Sequence, residues 1–284
     1  MRGEFVDVAG ARLYCYASGS RGAGVPIVLV HGTFTSSHLW RELLPRLPKG
    51  HRVLVLDLLG HGRSDRHSNR LMTVAGHTDR LVGLLTELAV SPACVVGHGL
   101  GAAVATRLAH SCPGRVAKLA LVNPSFLATN PKDVRIPGPL RRLAAFVPLW
   151  KRLPGDWVAS ALHTALVGGY AQRSVGEHSL DLYLKPFRTR EGRDSACAQL
   201  LALKASNADT VQALAPASLT SAVTAVLGED DPFLQPQRAA RVLQALQHAT
   251  EGRVVVHRLP GVAHVAPEEA PDRLATIIGE LLAI

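Results

Sequence analysis

The sequence predicts an α/β fold: a mainly parallel sheet flanked by helices, with a helical insertion in the second half of the chain. Three observations carry that prediction. Short, nearly all-apolar runs bounded by turn residues alternate with longer stretches of helical periodicity, as parallel strands covered on both faces require. The glycine- and histidine-bearing turns follow those runs at their carboxyl ends, where open α/β sheets place ligands. The alternation then lapses between about Pro124 and Pro216, where prolines 131, 137, 139, 148, 154 and 186 separate helical patterns and no strand pattern stands out.

Taken in order, Glu4–Val8 and Arg12–Tyr16 alternate around Ala9-Gly10 and predict a hairpin on the sheet edge. Strands are expected at Ile27–Val30, Val53–Asp57, Ala93–Val96, Lys118–Asn123, Ala222–Leu227 and Val254–Leu259, each short, apolar and read as buried on both faces. Thr73–Leu88 puts Leu81, Leu84, Leu85 and Leu88 on one helical stripe. Leu274, Ile277, Ile278, Leu281 and Leu282 form the stripe of a final helix whose first turn is assigned to Pro267. The expected organisation is a core of residues 1–124 and 217–284 with a helical lid at 125–216.

With 284 residues, 47% of them apolar, the chain can bury a sizeable core. Four cysteines (Cys15, Cys94, Cys112, Cys197) lack CxxC spacing, which points to reduced thiols rather than a zinc site or disulfide framework. No apolar signal core opens the sequence and no run reaches membrane-spanning length, so the expected location is cytoplasmic. The net charge of +9 raises the question of nucleic acid, but no basic run is interleaved with aromatics. A small-molecule substrate is the expected partner, with neither nucleic acid nor membrane. Arg135, Arg141, Arg142, Lys151, Arg152, Lys185, Arg188, Arg190 and Arg193 concentrate between 130 and 195. They either orient an anionic substrate or solvate surface helices, and the second reading is preferred. No metal site or flavin fingerprint appears. The run Gly97-His98-Gly99-Leu100-Gly101 has neither G-x-G-x-x-G spacing nor a P-loop Lys-Ser/Thr, so no cofactor is expected.

Four segments bear chemistry: Leu29-Val30-His31-Gly32-Thr33-Phe34; Asp57 through Gly60-His61-Gly62-Arg63-Ser64-Asp65; Val95-Val96-Gly97-His98-Gly99-Leu100-Gly101; and the late pair Gly228-Glu229-Asp230-Asp231 and Gly261-Val262-Ala263-His264. In this order the chain resembles the α/β-hydrolase family, specifically its lid-bearing esterase, C–C hydrolase and epoxide-hydrolase-like branch, over nearly its whole length. In that family G-x-S-x-G forms a sharp strand-to-helix turn projecting a nucleophilic serine. Here Gly97 and Gly101 match, and glycine stands at position 99. Glycine keeps the strained turn at little steric cost but removes the hydroxyl, and with it an ordinary acyl-enzyme route.

The resemblance implies that Asp231 is the acid, with Asp230 as fallback, and that His264 is the base. It places an oxyanion hole at the backbone N–H groups of Leu100 and of Thr33 or Phe34. It also implies that His31 ties loops beneath the site, while Arg63, Ser64 and Asp65 are read as turn-stabilising. His98, Ser125, Trp150, Trp157 and Tyr183 are candidate substrate contacts; for His98 and for the lid residues, His163 and His178 included, packing is the competing role. The expected function is non-covalent acid–base chemistry on a bulky carbonyl compound: C–C bond formation, cyclisation, lyase or isomerase chemistry, as in natural-product biosynthesis. Alternatives are hydrolysis by His264-activated water and a ligand-binding pseudoenzyme.

Overall fold

The computed structural model describes residues 3–19, 24–66, 72–127, 147–150, 152–205, 212–215 and 217–284. Eight strands form one sheet: β1 (Glu4–Val8), β2 (Ala11–Ser18), β3 (Ile27–Val30), β4 (Val53–Leu56), β5 (Ala93–His98), β6 (Val116–Val122), β7 (Ala222–Gly228) and β8 (Val254–Leu259). Their order is β1-β2-β4-β3-β5-β6-β7-β8. The β1/β2 hairpin pairs antiparallel with β4, and every later pairing is parallel. The central strands β3, β4 and β5 are buried at every position, as covering helices on both faces demand. β8 departs from the expected two-sided burial, because as the last strand it lies on the edge and leaves Val255 exposed.

Helix α1 (Val74–Glu87) starts where Thr73 accepts the N–H of Gly76 at 3.1 Å. Helix α2 (Leu100–Ser111) follows β5 directly. It approaches β3 so closely that a Cβ on Gly101 would run into the carbonyls of Val30 and His31. Between β6 and β7 the described elements are helical: α3 (Val147–Trp150), α4 (Gly155–Leu166), α5 (Arg173–Leu184) and α6 (Arg190–Ala205), with short 3₁₀ turns among them. Prolines 131, 137 and 139, and Arg135, Arg141, Arg142 and Lys151, lie outside the described residues.

Past β7 come α7 (Pro236–Ala249), α8 (Ala266–Glu269) and α9 (Pro271–Ala283). The expectation that Pro267 opens the final helix is corrected. Pro267 sits in the short α8, and Pro271 occupies the first turn of α9. The residue before a proline is driven out of the helical region; Ala270 accordingly takes φ −142°, ψ 52° and splits the run in two. Among the described residues no helix is long and apolar enough to cross a membrane.

Candidate active site

Three strand ends converge above the sheet. The first is the turn from β5 to α2, where Gly99 adopts φ 53°, ψ −111° and its N–H donates to the Val122 carbonyl at 3.1 Å. A residue with a side chain is rarely at ease at that φ. The space beside it is nevertheless open: a Cβ on Gly99 would lie 3.5 Å from Nε2 of His264 and 3.7 Å from Cα of Gly32, ordinary contact distances. Leu100 occupies the first position of α2, where a helix N–H has no intrahelical acceptor.

The second is the loop after β7. Asp231 is buried and Asp230 exposed, and Asp231 is the one that meets His264. Nδ1 of His264 hydrogen-bonds Oδ2 of Asp231 at 2.8 Å. The backbone N–H groups of Phe233 and Leu234 donate to Oδ1 at 2.7 and 3.2 Å. Burial is the strongest single influence on this carboxyl and pushes its pKa up. The facing His264 and the surrounding donors together outweigh it, leaving the pKa below the usual carboxylate value.

The third is the loop after β8. The N–H of His264 donates to the carbonyl of Gly169 at 2.9 Å, and Nε2 of His98 lies 2.8 Å from the His264 carbonyl. Phe233 packs edge-on against the imidazole with ring centroids 4.9 Å apart. The ring is thus fixed at Nδ1, and Nε2 faces the space above Gly99.

That space is a pocket of about 40 Å³ whose walls include Thr33, His98, Ser125, Tyr170, Phe233 and His264. Its volume corresponds to about three water-sized groups. Among the described residues its lining holds no lysine or arginine. Thr33 Oγ1, His98 Nδ1 and Ser125 Oγ are buried without a hydrogen-bond partner among the described residues. Phe34 has its ring turned onto Phe187, with centroids 5.7 Å apart, and its neighbours Thr33 and Thr35 are the residues of that turn on the pocket wall. Burial drives the His98 imidazole down to about 3, so it is neutral.

Three candidate contacts lie away from this lining. Trp157 is 69% exposed, because its helix presents it outward rather than toward the sheet. Trp150 is buried off the pocket. Tyr183 is buried and donates its hydroxyl to Glu268. His31 sits below the site as expected: its Nε2 accepts the Leu58 N–H at 2.9 Å and its Nδ1 lies 2.7 Å from the Gly32 carbonyl. The turn after β4 is also tied down. Asp57 accepts the N–H groups of Ser37 and Arg63 at 2.6 and 2.8 Å, and Ser64 Oγ donates to the Asp57 carbonyl at 2.7 Å.

Sequence reasoning missed three residues. Asn123 is fully buried, takes φ 44°, and donates Nδ2 to Oδ2 of Asp231 at 2.8 Å. Glu268, whose side chain is fully buried, receives Arg41 at 2.7 Å as well as Tyr183. Glu269 accepts the N–H of Ala171 at 2.6 Å through Oε1 and that of Ala263 at 2.9 Å through Oε2. Only the asparagine left a trace in the sequence, as a residue tolerant of positive φ at a strand end.

Residues 27–277 match the model of the alpha/beta hydrolase family. Over 123 residues the chain is 34% identical to 2-hydroxymuconate semialdehyde hydrolase of Pseudomonas sp. (strain CF600), covering 42% of each protein. Over 108 residues it is 37% identical to a haloalkane dehalogenase of Mycolicibacterium paratuberculosis (strain ATCC BAA-968 / K-10), covering 37% of this chain and 36% of that one. Both alignments therefore span less than half of the relative's length. Among solved structures, an alpha/beta hydrolase fold protein from Burkholderia ambifaria superposes with a TM-score of 0.80 at 27% identity, covering 98% of this chain and all of that one. Cfl2 from Burkholderia cenocepacia gives 0.82 at 28% identity, covering 99% and 95%. The family match extends from β3 into the last helix and takes in all three strand ends, and the chain belongs to the alpha/beta hydrolase family.

Proposed function

We propose that this protein is an enzyme of that family working without a covalent nucleophile, in which His264, oriented by Asp231, moves a proton on a neutral carbonyl compound. The carrying observation is the open distance between Gly99 and His264 Nε2, 3.5 Å from where a Cβ would stand. A serine hydroxyl would be within reach of the imidazole there; glycine leaves that place to substrate or water. In this reading the carbonyl oxygen lies against the N–H groups of Leu100 and Thr33, where backbone donors stabilise an enolate or a tetrahedral oxyanion alike. The proton is held on Nδ1 by Asp231, so Nε2 offers its lone pair as a general base.

The pocket's lining narrows the substrate. Absence of lysine and arginine from the described lining speaks against a carboxylate or phosphate, and Arg188 of the helical segment pairs with Asp156 and Asp181 on the surface instead. The described lining, with the polar side chains of Thr33, Thr35 and Ser125 among apolar neighbours, suits the carbonyl end of a neutral molecule. A larger molecule enters only if the helical segment, read here as a lid, draws its Gly169–Tyr170 turn away from His264. In this reading the hydroxyl of Ser125, which has no partner among the described residues, donates to a second oxygen of the substrate.

The test needs no knowledge of the natural substrate. Exchange of α-protons of 2-butanone in D₂O, followed by NMR, is expected to run faster with the protein than with its His264→Gln variant. Equal rates would overturn the reading. The second reading, hydrolysis by water lodged over Gly99, is favoured by the same small cavity. It predicts His264-dependent turnover of p-nitrophenyl acetate with no acetylated protein.

A further inference from the structure

The carboxylate that orients His264 is itself held by four hydrogen bonds. Oδ1 of Asp231 takes two backbone N–H groups, from Phe233 and Leu234. Oδ2 takes His264 Nδ1 and Asn123 Nδ2, each at 2.8 Å. The second hydrogen of that amide reaches the Ala263 carbonyl at 3.2 Å. Both partners of Nδ2 are acceptors, so the amide orientation is fixed: turned over, its oxygen would face two oxygens. Asn123 is fully buried and in the left-handed region at φ 44°, which asparagine tolerates better than most residues.

We infer that Asn123 is a positioning residue that sets how strongly His264 holds its proton, acting through the shared oxygen of Asp231. The inference rests on reading His264 as the base. An N–H donated to Oδ2 draws charge from the same oxygen that attracts the imidazolium. Asn123 therefore keeps Asp231 ionised while limiting how much the carboxylate stabilises a protonated ring. With that donor removed, Oδ2 pulls harder on the Nδ1 hydrogen, and His264 becomes easier to protonate. The Asn123–Ala263 bond adds a steric component, because it holds the peptide preceding His264.

Among the described residues, other titratable groups close to His264 are few. His98 lies at a ring distance of 4.8 Å and is neutral. Glu269 reaches the Ala263 N–H, and Tyr170 stands on the pocket wall beside Glu268. None of these shares an oxygen of Asp231, so the effect of Asn123 is separable from theirs.

The experiment is an NMR pH titration of the His264 ring, assigned with His264→Gln, in the unsubstituted protein and in Asn123→Gly and Asn123→Asp. Both replacements accept positive φ, which Asn123→Ala would not. Expected is an upward shift of the His264 midpoint by roughly half to one unit in Asn123→Gly, and a larger one in Asn123→Asp, which puts a second carboxylate beside the first. An unmoved midpoint in folded variants would overturn the inference, as would failure of both variants to fold, which would make Asn123 a structural residue. Because no substrate is involved, an inactive protein with a shifted midpoint would reject the proposed function and keep this one.

Discussion

At the carboxyl edge of the sheet, both oxygens of Asp231 and both backbone groups of His264 are taken by specific partners. The helical segment across the pocket is held differently. It leaves Leu149, Trp157, Leu182 and Leu201 exposed, and its Arg188 pairs with Asp156 and Asp181 on the surface. Such surface pairs contribute about 1 kcal/mol at most. Among the described residues it is tied to the core at a few points: Tyr183 to Glu268, the Ala171 N–H to Glu269, Ser179 to Arg41, Ser195 and Gln199 to the Gly60 carbonyl, and the Gly169 carbonyl to the His264 N–H. One side of the pocket is built for fixed geometry, and the other for a hold that a few bonds control.

Breaking the fixed side has the largest expected consequence. Asp231→Asn removes the charge that orients and supports the protonated ring. The 2-butanone exchange rate is expected to fall about 10²–10⁴-fold, with folding intact by circular dichroism.

Acid probes the sheet side as a whole. His31, His61, His77 and His98 are held near 3, against an ordinary 6.5, chiefly by burial. As pH falls below 6.5 the unfolded chain binds protons that the folded chain refuses. Their contribution is therefore complete above that pH and is lost progressively toward 3. At about pH 5.5 the loss is on the order of 1 kcal/mol for each histidine. Urea midpoints should drop steeply between about pH 7.5 and 5.5; a flat profile would contradict the neutral burial of these rings.

The tethers come next. Glu268→Ala strands the Tyr183 hydroxyl and frees the half-exposed Arg41, so a loss of about 2–3 kcal/mol is expected in chemical unfolding. At the far end of the scale, Trp157→Ala should change stability by less than about 0.5 kcal/mol and leave the exchange rate unchanged. A large effect there would mean that the exposed face of the helical segment has a role that its exposure does not suggest.

The same contrast explains what could be read from the sequence. Buried parallel strands are nearly uninterrupted apolar runs, so Ile27–Val30 and Val254–Leu259 have the expected bounds. The chain positions of Gly99, Asp231 and His264 stood out because the resemblance to the α/β-hydrolase family assigns a role to each of those strand-end turns. Asn123 did not, because its meaning depends on β6 lying beside β7, which brings together residues 108 positions apart. Glu268 and Glu269 left no trace at all, since charged residues beside a proline read as an exposed helix start until the opposing segment is known. In the helical segment, amphipathic spacing gave helices but not which face met the pocket, and Trp157 was consequently misplaced.

Gly99→Ser asks whether the acid–base pair stands in register with the position that holds no nucleophile. The backbone at φ 53° costs the variant about 1–3 kcal/mol, while the added Cβ meets His264 at an ordinary distance. With p-nitrophenyl acetate a burst of p-nitrophenolate and an acetyl adduct on the introduced hydroxyl by mass spectrometry are expected, both absent when His264→Gln is combined with it. A folded Gly99→Ser protein with neither burst nor adduct would show the pair to be out of register.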